Sequence, residues 1–319
     1  MSPVRERIPR AVWVLGGVSL FMDMSSELVH AILPVYLTTV LGLSVLAVGI
    51  IEGIAEATAS MLKVVSGVIS DRFQRRKSLA LLGYGLAAIT KPVFPLADTA
   101  FGVVAARFVD RVGKGIRGAP RDAIVADVTP PALRDAAFEL RQSLDTVGAF
   151  AGPLLAMLFL WLWADNMRAV LWIAVIPAVL AVLLLAVGID EPERHAAGGT
   201  SAVARLRILG ALPAAFWLLM PVTSLFSLAR LSEAFLVLRA QEVHLGVMWI
   251  PLVMIVMSAV YSLSSYPAGV WAVSVRRTRL DDGPSDQLAL GADQRCGSNS
   301  AVRLAGCVGS RSSTSRRYA

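Results

Sequence analysis

Apolar runs long enough to cross a bilayer recur along this chain, at roughly 11–38, 45–66, 78–97, 100–120, 143–163, 167–189, 211–234 and 246–272. Spanning a hydrocarbon core of about 30 Å takes about 20 mostly apolar residues in a helix, because the backbone there must satisfy its own hydrogen bonds. The pattern therefore predicts an all-α membrane protein with eight candidate spans. Composition agrees: 56% of the 319 residues are hydrophobic and 17% charged, and the mean hydropathy is +0.65, far too apolar for an ordinary soluble domain.

Two of the spans carry charge. The first is interrupted by Asp23, Glu27 and His30, and the fourth by Arg107, Asp110, Arg111, Lys114 and Arg117. Topology argues for keeping both. With the N-terminus inside, Arg5, Arg7 and Arg10, then Arg72, Arg75, Arg76 and Lys77, then Arg121 and Arg134, then Arg194, Arg205 and Arg207 all fall on the cytoplasmic side. The opposite loops hold few cations, Arg168 and Arg239 among them. The expected location is the inner or plasma membrane, multi-pass, with both termini cytoplasmic. The lipid bilayer is then the first partner, and the net charge of +7 reflects cytoplasmic loops and tail rather than nucleic-acid binding. Arg5 to Arg10 leads into a segment longer than a signal h-region and without a small-residue cleavage site, so no cleavable signal peptide is expected.

The most specific local pattern is Gly67-Val-Ile-Ser-Asp71-Arg72-Phe-Gln74-Arg75-Arg76-Lys77, in the turn between the second and third spans. A small residue permits close helix approach, an Asp accepts hydrogen bonds at a helix end, and an arginine cluster anchors the turn at the membrane surface. The segment resembles the signature loop of the major facilitator superfamily, with Gln74 where that family usually has Gly. Arg107-Phe-Val-Asp110-Arg111-Val-Gly113-Lys114-Gly115 is similar to the family's fourth-helix motif, with Arg111 at a usual glycine position. Gly148-Ala-Phe-Ala-Gly152-Pro153-Leu-Leu-Ala156 resembles the Gly-Pro motif of its antiporters, with Ala156 replacing a terminal glycine. Glycines there give close packing, and Pro153 lets the helix bend. The resemblance implies a six-helix N-terminal half over residues 1–190, a cytoplasmic linker over 191–210 and the first two helices of a second half over 211–272.

Candidate functional residues follow from the charges. Asp23 and Glu27, and likewise Glu52 and Glu56, stand four apart and share a helix face. Facing lipid would cost several kcal/mol, so such groups line a cavity, pair with a cation or become protonated. Arg107, Arg111, Lys114, Arg117 and Arg121 recur at steps of three and four, drawing a basic stripe with Asp110 and Asp122 beside it. Two readings stand together: a buried ion-pair network, or a cavity in which Asp23, Glu27, Glu52 or Glu56 changes protonation while Arg107 and Arg111 bind substrate or respond electrostatically. Arg117 and Arg121 approach the cytoplasmic end, where snorkelling is easy, and read as gate or anchor. Arg121 to Pro131 reads as helix end and turn, and Arg134 to Arg141 as an amphipathic lead-in to the fifth span, with Glu139 and Asp145 structural.

No cofactor motif, activated nucleophile or closed zinc pattern is present. His244 and Met248 have the spacing of copper ligands, but no Met-x-x-x-Met precedes them, so no metal is expected. Cys296 and Cys307 lie in the tail without ligand neighbours.

In the second half, Gly269 matches Gly67, but Val273 and Ser274 stand where the repeat predicts Asp-Arg. From Arg279 to Ala319 the chain is rich in Arg, Ser, Gly and Asp, without an apolar run. The expected cause is a frameshift or aberrant reading near residue 273, leaving a disordered or aberrant tail over 273–319; a genuine disordered cytoplasmic tail is the alternative. The expected function is a secondary transporter of a small solute, a proton-coupled efflux antiporter rather than an enzyme, with loss of activity in this shortened form as a further reading. Uptake of an anionic metabolite, motivated by the basic stripe, and a non-transporting binding or sensor module are the alternatives. Nothing in the sequence sets an oligomeric state.

Overall fold

A computed structural model describes residues 8–73, 75–190, 221, 233–243, 245–260 and 263, with the side chains of 71–73 left aside. All but residue 263 belong to one compact unit, residues 1–260. The described residues form helices α1 (Arg10–Val35), α2 (Val45–Phe73), α3 (Arg76–Leu96), α4 (Ala100–Val128), α5 (Arg134–Leu162), α6 (Met167–Ile173), α7 (Val175–Gly188) and α8 (Glu233–Glu242). A shorter apolar helix, α9 (Val247–Val260), follows.

Five stretches are long and apolar enough to cross a membrane: Arg10–Val40, Val45–Ser70, Arg76–Leu96, Pro131–Leu162 and Met167–Gly188. The charged α4 falls outside that set on composition, yet its 29 residues reach about 43 Å, and it packs along α2 and α3. The first six predicted spans are thus helical in the order expected. Outward-facing α2 residues such as Leu46, Ile54, Met61 and Val64 are exposed, the surface expected of a helix facing lipid or neighbouring helices.

Irregularities have identifiable causes. Pro34 removes the donor that the carbonyl of His30 would take, and the chain continues as a π turn over Tyr36–Val40. Pro177 does the same for the carbonyl of Ile173, and the sixth span breaks at Ala174 between α6 and α7. The Ser25 hydroxyl donates to the Ala174 carbonyl at 2.6 Å, satisfying part of that break from α1.

Several boundaries differ from expectation. The signature loop is mostly helix: α2 runs to Phe73 and α3 restarts at Arg76. The fourth span continues eight residues past 120 to Val128, so within the stretch read as helix end and turn the helix end takes Arg121 to Val128 and the break falls at Thr129 and Pro130. The predicted loop around Arg239 is also helical, lying inside α8, whose Arg239–Glu242 pair at 2.6 Å stabilises its last turn. The linker over 191–210, nearly all of the seventh span and the tail lie outside the described residues.

Close approach sets the packing of α1 on α5 and of α3 on α4. A Cβ on Gly152 would lie 2.7 Å from the carbonyl of Met24 and 2.8 Å from the amide nitrogen of Leu28. Gly83 and Gly113 face each other, each occupying the space of the other's missing side chain. Two apolar cores result. One gathers Val12, Leu15, Met22, Tyr84, Ile124 and Leu185; the other gathers Leu28, Leu33, Phe94, Val103, Leu171 and Val237. Along α1 and α4 the charged residues fall between them.

Candidate functional site

That charged layer draws side chains from α1, α2, α3, α4, α5 and α8. At its centre the Arg107 guanidinium grips Glu52 through two bonds, Nε to Oε1 at 3.0 Å and Nη2 to Oε2 at 2.7 Å. Both groups are buried. Asp110 accepts from Lys91 at 2.9 Å, with Ser26 accepting from the same ammonium at 3.2 Å. Arg107 Nη1 stands 4.0 Å from Asp110, joining the two pairs.

On the other side of Glu52, His30 Nε2 lies 3.7 Å from Oε2. His30 Nδ1 faces Glu27 at 3.5 Å and Glu233 of α8 at 3.8 Å. Toward the start of α1, Asp23 is 3.7 Å from Arg117, whose guanidinium lies 4.9 Å from the Tyr84 ring centre. Arg121 bonds Ser19 at 3.0 Å and reaches Asp145 at 3.6 Å and Asp122 at 3.2 Å. Arg141 of α5 stands 3.9 Å from each of those two carboxylates.

The predicted acids and bases therefore come together, with differences in placement. Glu52 points inward, whereas Glu56, one turn along α2, is mostly exposed and meets Arg111 at 3.3 Å. Arg107, Arg111 and Arg117 are buried against acids rather than lining an open basic surface. Arg117 does not snorkel: its side chain is 4% exposed, because Asp23 and Tyr84 hold it in the interior. Lys114 is partly buried with no ion pair seen among the described residues.

Lys91, Ser26 and Glu233 complete the layer without having been singled out in the sequence. Lys91 had a signal: a lone lysine inside the apolar third span. Glu233 had none, since helix α8 reaches the layer from the far side of the linker. Of the conformational motif, Arg76 pairs with Asp127 of α4 and donates to the Ala123 carbonyl at 3.2 Å. Gly67 has Ala119 within ordinary contact, while Asp71 and Arg72 contribute only helical backbone to the description. Gly148 and Gly152 both sit against the α1 backbone, with Pro153 beside them.

The α8 segment meets the first bundle at one end. Thr38 donates to Gln241 at 3.1 Å, and the Phe235 ring packs on Gly49. Elsewhere an apolar groove of about 720 Å3 runs beside α5, lined by Met24, Leu154, Leu158, Trp161, Met248 and Trp249. Met248 is thus a wall residue; His244 lies outside the described residues.

Membrane-length helices around a buried ionic layer between two apolar cores define a multi-pass helical membrane protein of the transporter bundle type. The chain belongs to the Major Facilitator Superfamily, whose family model matches residues 15–280. It is 33% identical over 237 residues to an uncharacterized MFS-type transporter of Methanocaldococcus jannaschii, covering 74% of this chain and 58% of that protein. An uncharacterized protein of Mycobacterium bovis is 33% identical over 217 residues, covering 66% of this chain and 52% of its own length. The chain spans little more than half the length of these relatives. Among solved structures, a POT family transporter in complex with 5-aminolevulinic acid superposes with a TM-score of 0.54 at 21% identity, over 70% of this chain and 48% of that one. A peptide transporter POT in complex with sulfate gives 0.52 at 20% identity, over 72% and 49%. These likenesses show the fold.

Proposed function

We propose that this chain forms the first bundle, and the start of the second, of a secondary transporter that exports a small organic solute in exchange for protons. Family membership supports transport of a small solute, and Asp23 carries the proton-linked reading. Asp23 is a partly exposed carboxylate at mid-depth, between two apolar cores, with a buried arginine as its partner. Protonating it would cancel the attraction that holds Arg117 and leave that cation free to rearrange toward Tyr84 and the Arg121 cluster. The glycine seam that carries α5 along α1 gives such a change a sliding surface, and Asp145 on α5 belongs to the same cluster. Arg107 is the centre of the fixed part of the layer.

Uptake of an anion loses ground, since four of the five cations in the stripe that motivated it face acids, Arg107 on Glu52, Arg111 on Glu56, Arg117 on Asp23 and Arg121 on Asp122 and Asp145, which leaves Lys114 as the stripe's cation without an ion pair among the described residues. The orientation we propose places both termini in the cytoplasm of a cell whose plasma membrane holds the protein.

The test is flux in vesicles containing the full chain, with an imposed pH gradient, a pH-sensitive dye in the lumen and a panel of small organic cations, anions and neutral solutes. Solute movement coupled to proton movement in wild type, lost in Asp23→Asn, is the expected result. Equal gradient-driven flux in D23N removes Asp23 from the coupling. Solute binding without flux would point instead to a non-transporting binding module.

A further inference from the structure

We propose that Glu27, His30 and Glu233 form a binding site for a divalent first-row metal ion of the zinc type, bridging α1 and α8. One ligand atom from each of the three lies within 4.8 Å of the other two. Both carboxylates converge on one ring nitrogen, His30 Nδ1, from Glu27 at 3.5 Å and from Glu233 at 3.8 Å. These separations are long for hydrogen bonds. Two ligands of a tetrahedral ion with bonds of about 2.1 Å stand about 3.4 Å apart, so a small inward movement suffices.

The rest of the imidazole points the same way. Its other nitrogen, Nε2, is buried without a hydrogen bond and faces Glu52 at 3.7 Å. Glu52 is itself fixed by the two bonds from Arg107. Drawn in from 3.7 Å to hydrogen-bond distance, a carboxylate behind the distal nitrogen orients a metal-binding histidine and sets its tautomer. Here it would leave Nδ1 as the lone-pair donor toward Glu27 and Glu233. One imidazole and two carboxylates suit zinc or cobalt. The Glu27 and Glu233 side chains are 20% and 30% exposed, which gives an ion a way in. Because 27 and 30 lie on one helix and 233 beyond the linker, no short spacing in the sequence marks the set.

The site does not depend on the transport reading, and its test is binding. The purified full chain in lipid nanodiscs is titrated with Zn2+ by calorimetry and with Co2+ by visible absorption. One ion per chain is expected, with Co2+ showing the intense visible bands of low coordination. Glu27→Gln, His30→Gln and Glu233→Gln should each weaken binding by at least about tenfold, while Glu139→Gln, which removes the same charge from an exposed position on α5, leaves it unchanged. Absence of binding, binding that survives H30Q, or equal loss in E139Q would overturn the proposal. If H30Q does not fold, protection of His30 in the wild type from diethylpyrocarbonate by Zn2+, read by peptide mass, reports the same contact. Modification unaffected by Zn2+ would then count against the site.

Discussion

Arg107 holds Glu52 through a two-pronged contact, 3.0 Å and 2.7 Å, inside the charged layer between the two apolar cores. Guanidinium and carboxylate are both planar and match at two points, a fit a lysine cannot reproduce. Removing one partner strands a buried charge. Glu52→Gln or Arg107→Gln should therefore cost about 3–5 kcal/mol, and the double variant E52Q/R107Q should cost less than the sum of the two. Thermal unfolding in detergent, run as a double-mutant cycle, measures this. Strict additivity would show that the pair is not coupled.

Lys91 is a second point of vulnerability. Its ammonium is buried and held by Asp110 at 2.9 Å and Ser26 at 3.2 Å. Without it, the ion pair left to Asp110 among the described residues is the longer one to Arg107 at 4.0 Å. Lys91→Met should destabilise by about 3 kcal/mol or more. Lys63→Met, on the exposed face of α2, should stay within about 0.5 kcal/mol. The same thermal measurement compares them.

Much of this layer was legible in the sequence because a bilayer makes charge conspicuous. Asp23, Glu27, Arg107 and Asp110 interrupt apolar runs, and an intramembrane charge has to find a partner. Which partner it finds is set by helix rotation and by chain segments far apart. Helical spacing put Glu52 and Glu56 on one face, yet their neighbours on α4 bury the first and leave the second at the edge. The stripe on α4 was visible as a stripe, but its accessibility was not, because burial depends on α1, α2 and α3 closing over it. Boundaries slipped where polar residues remained helical: the fourth span was bounded at 120 but α4 runs to Val128, and Arg239, placed in a loop, lies inside α8. The apolar runs supplied the spans and their order, while the division into a six-helix half, a linker and the start of a second half came from the resemblance to the superfamily.

Helix contact on the α1–α5 seam should be intolerant of a single methyl group. A Cβ at Gly152 meets main-chain atoms of Met24 and Leu28 inside 3 Å, and main chain cannot rotate away. Gly152→Ala should cost about 1–3 kcal/mol. Gly53→Ala, with nothing within 4 Å, should be neutral or stabilise by up to about 1 kcal/mol through helix propensity. Melting temperatures of the two variants side by side decide the point; equal values would mean the seam is looser than described.

Thr38 and Gln241 join the π turn after α1 to α8 at 3.1 Å, and Phe235 on Gly49 closes the same end. Alternating access requires contacts at one end to open as those at the other close. A covalent tie here should therefore hold the protein in the described state. In a background with Cys296 and Cys307 replaced by Ser, Thr38→Cys with Gln241→Cys should cross-link efficiently with a short thiol-bridging disulfide reagent, read as a mass increase on the intact chain. Wherever the wild type supports flux in vesicles, the cross-linked variant should retain solute binding and lose flux, and a reducing agent should restore it. Flux that persists in the cross-linked protein would show that this contact is not one that opens during transport.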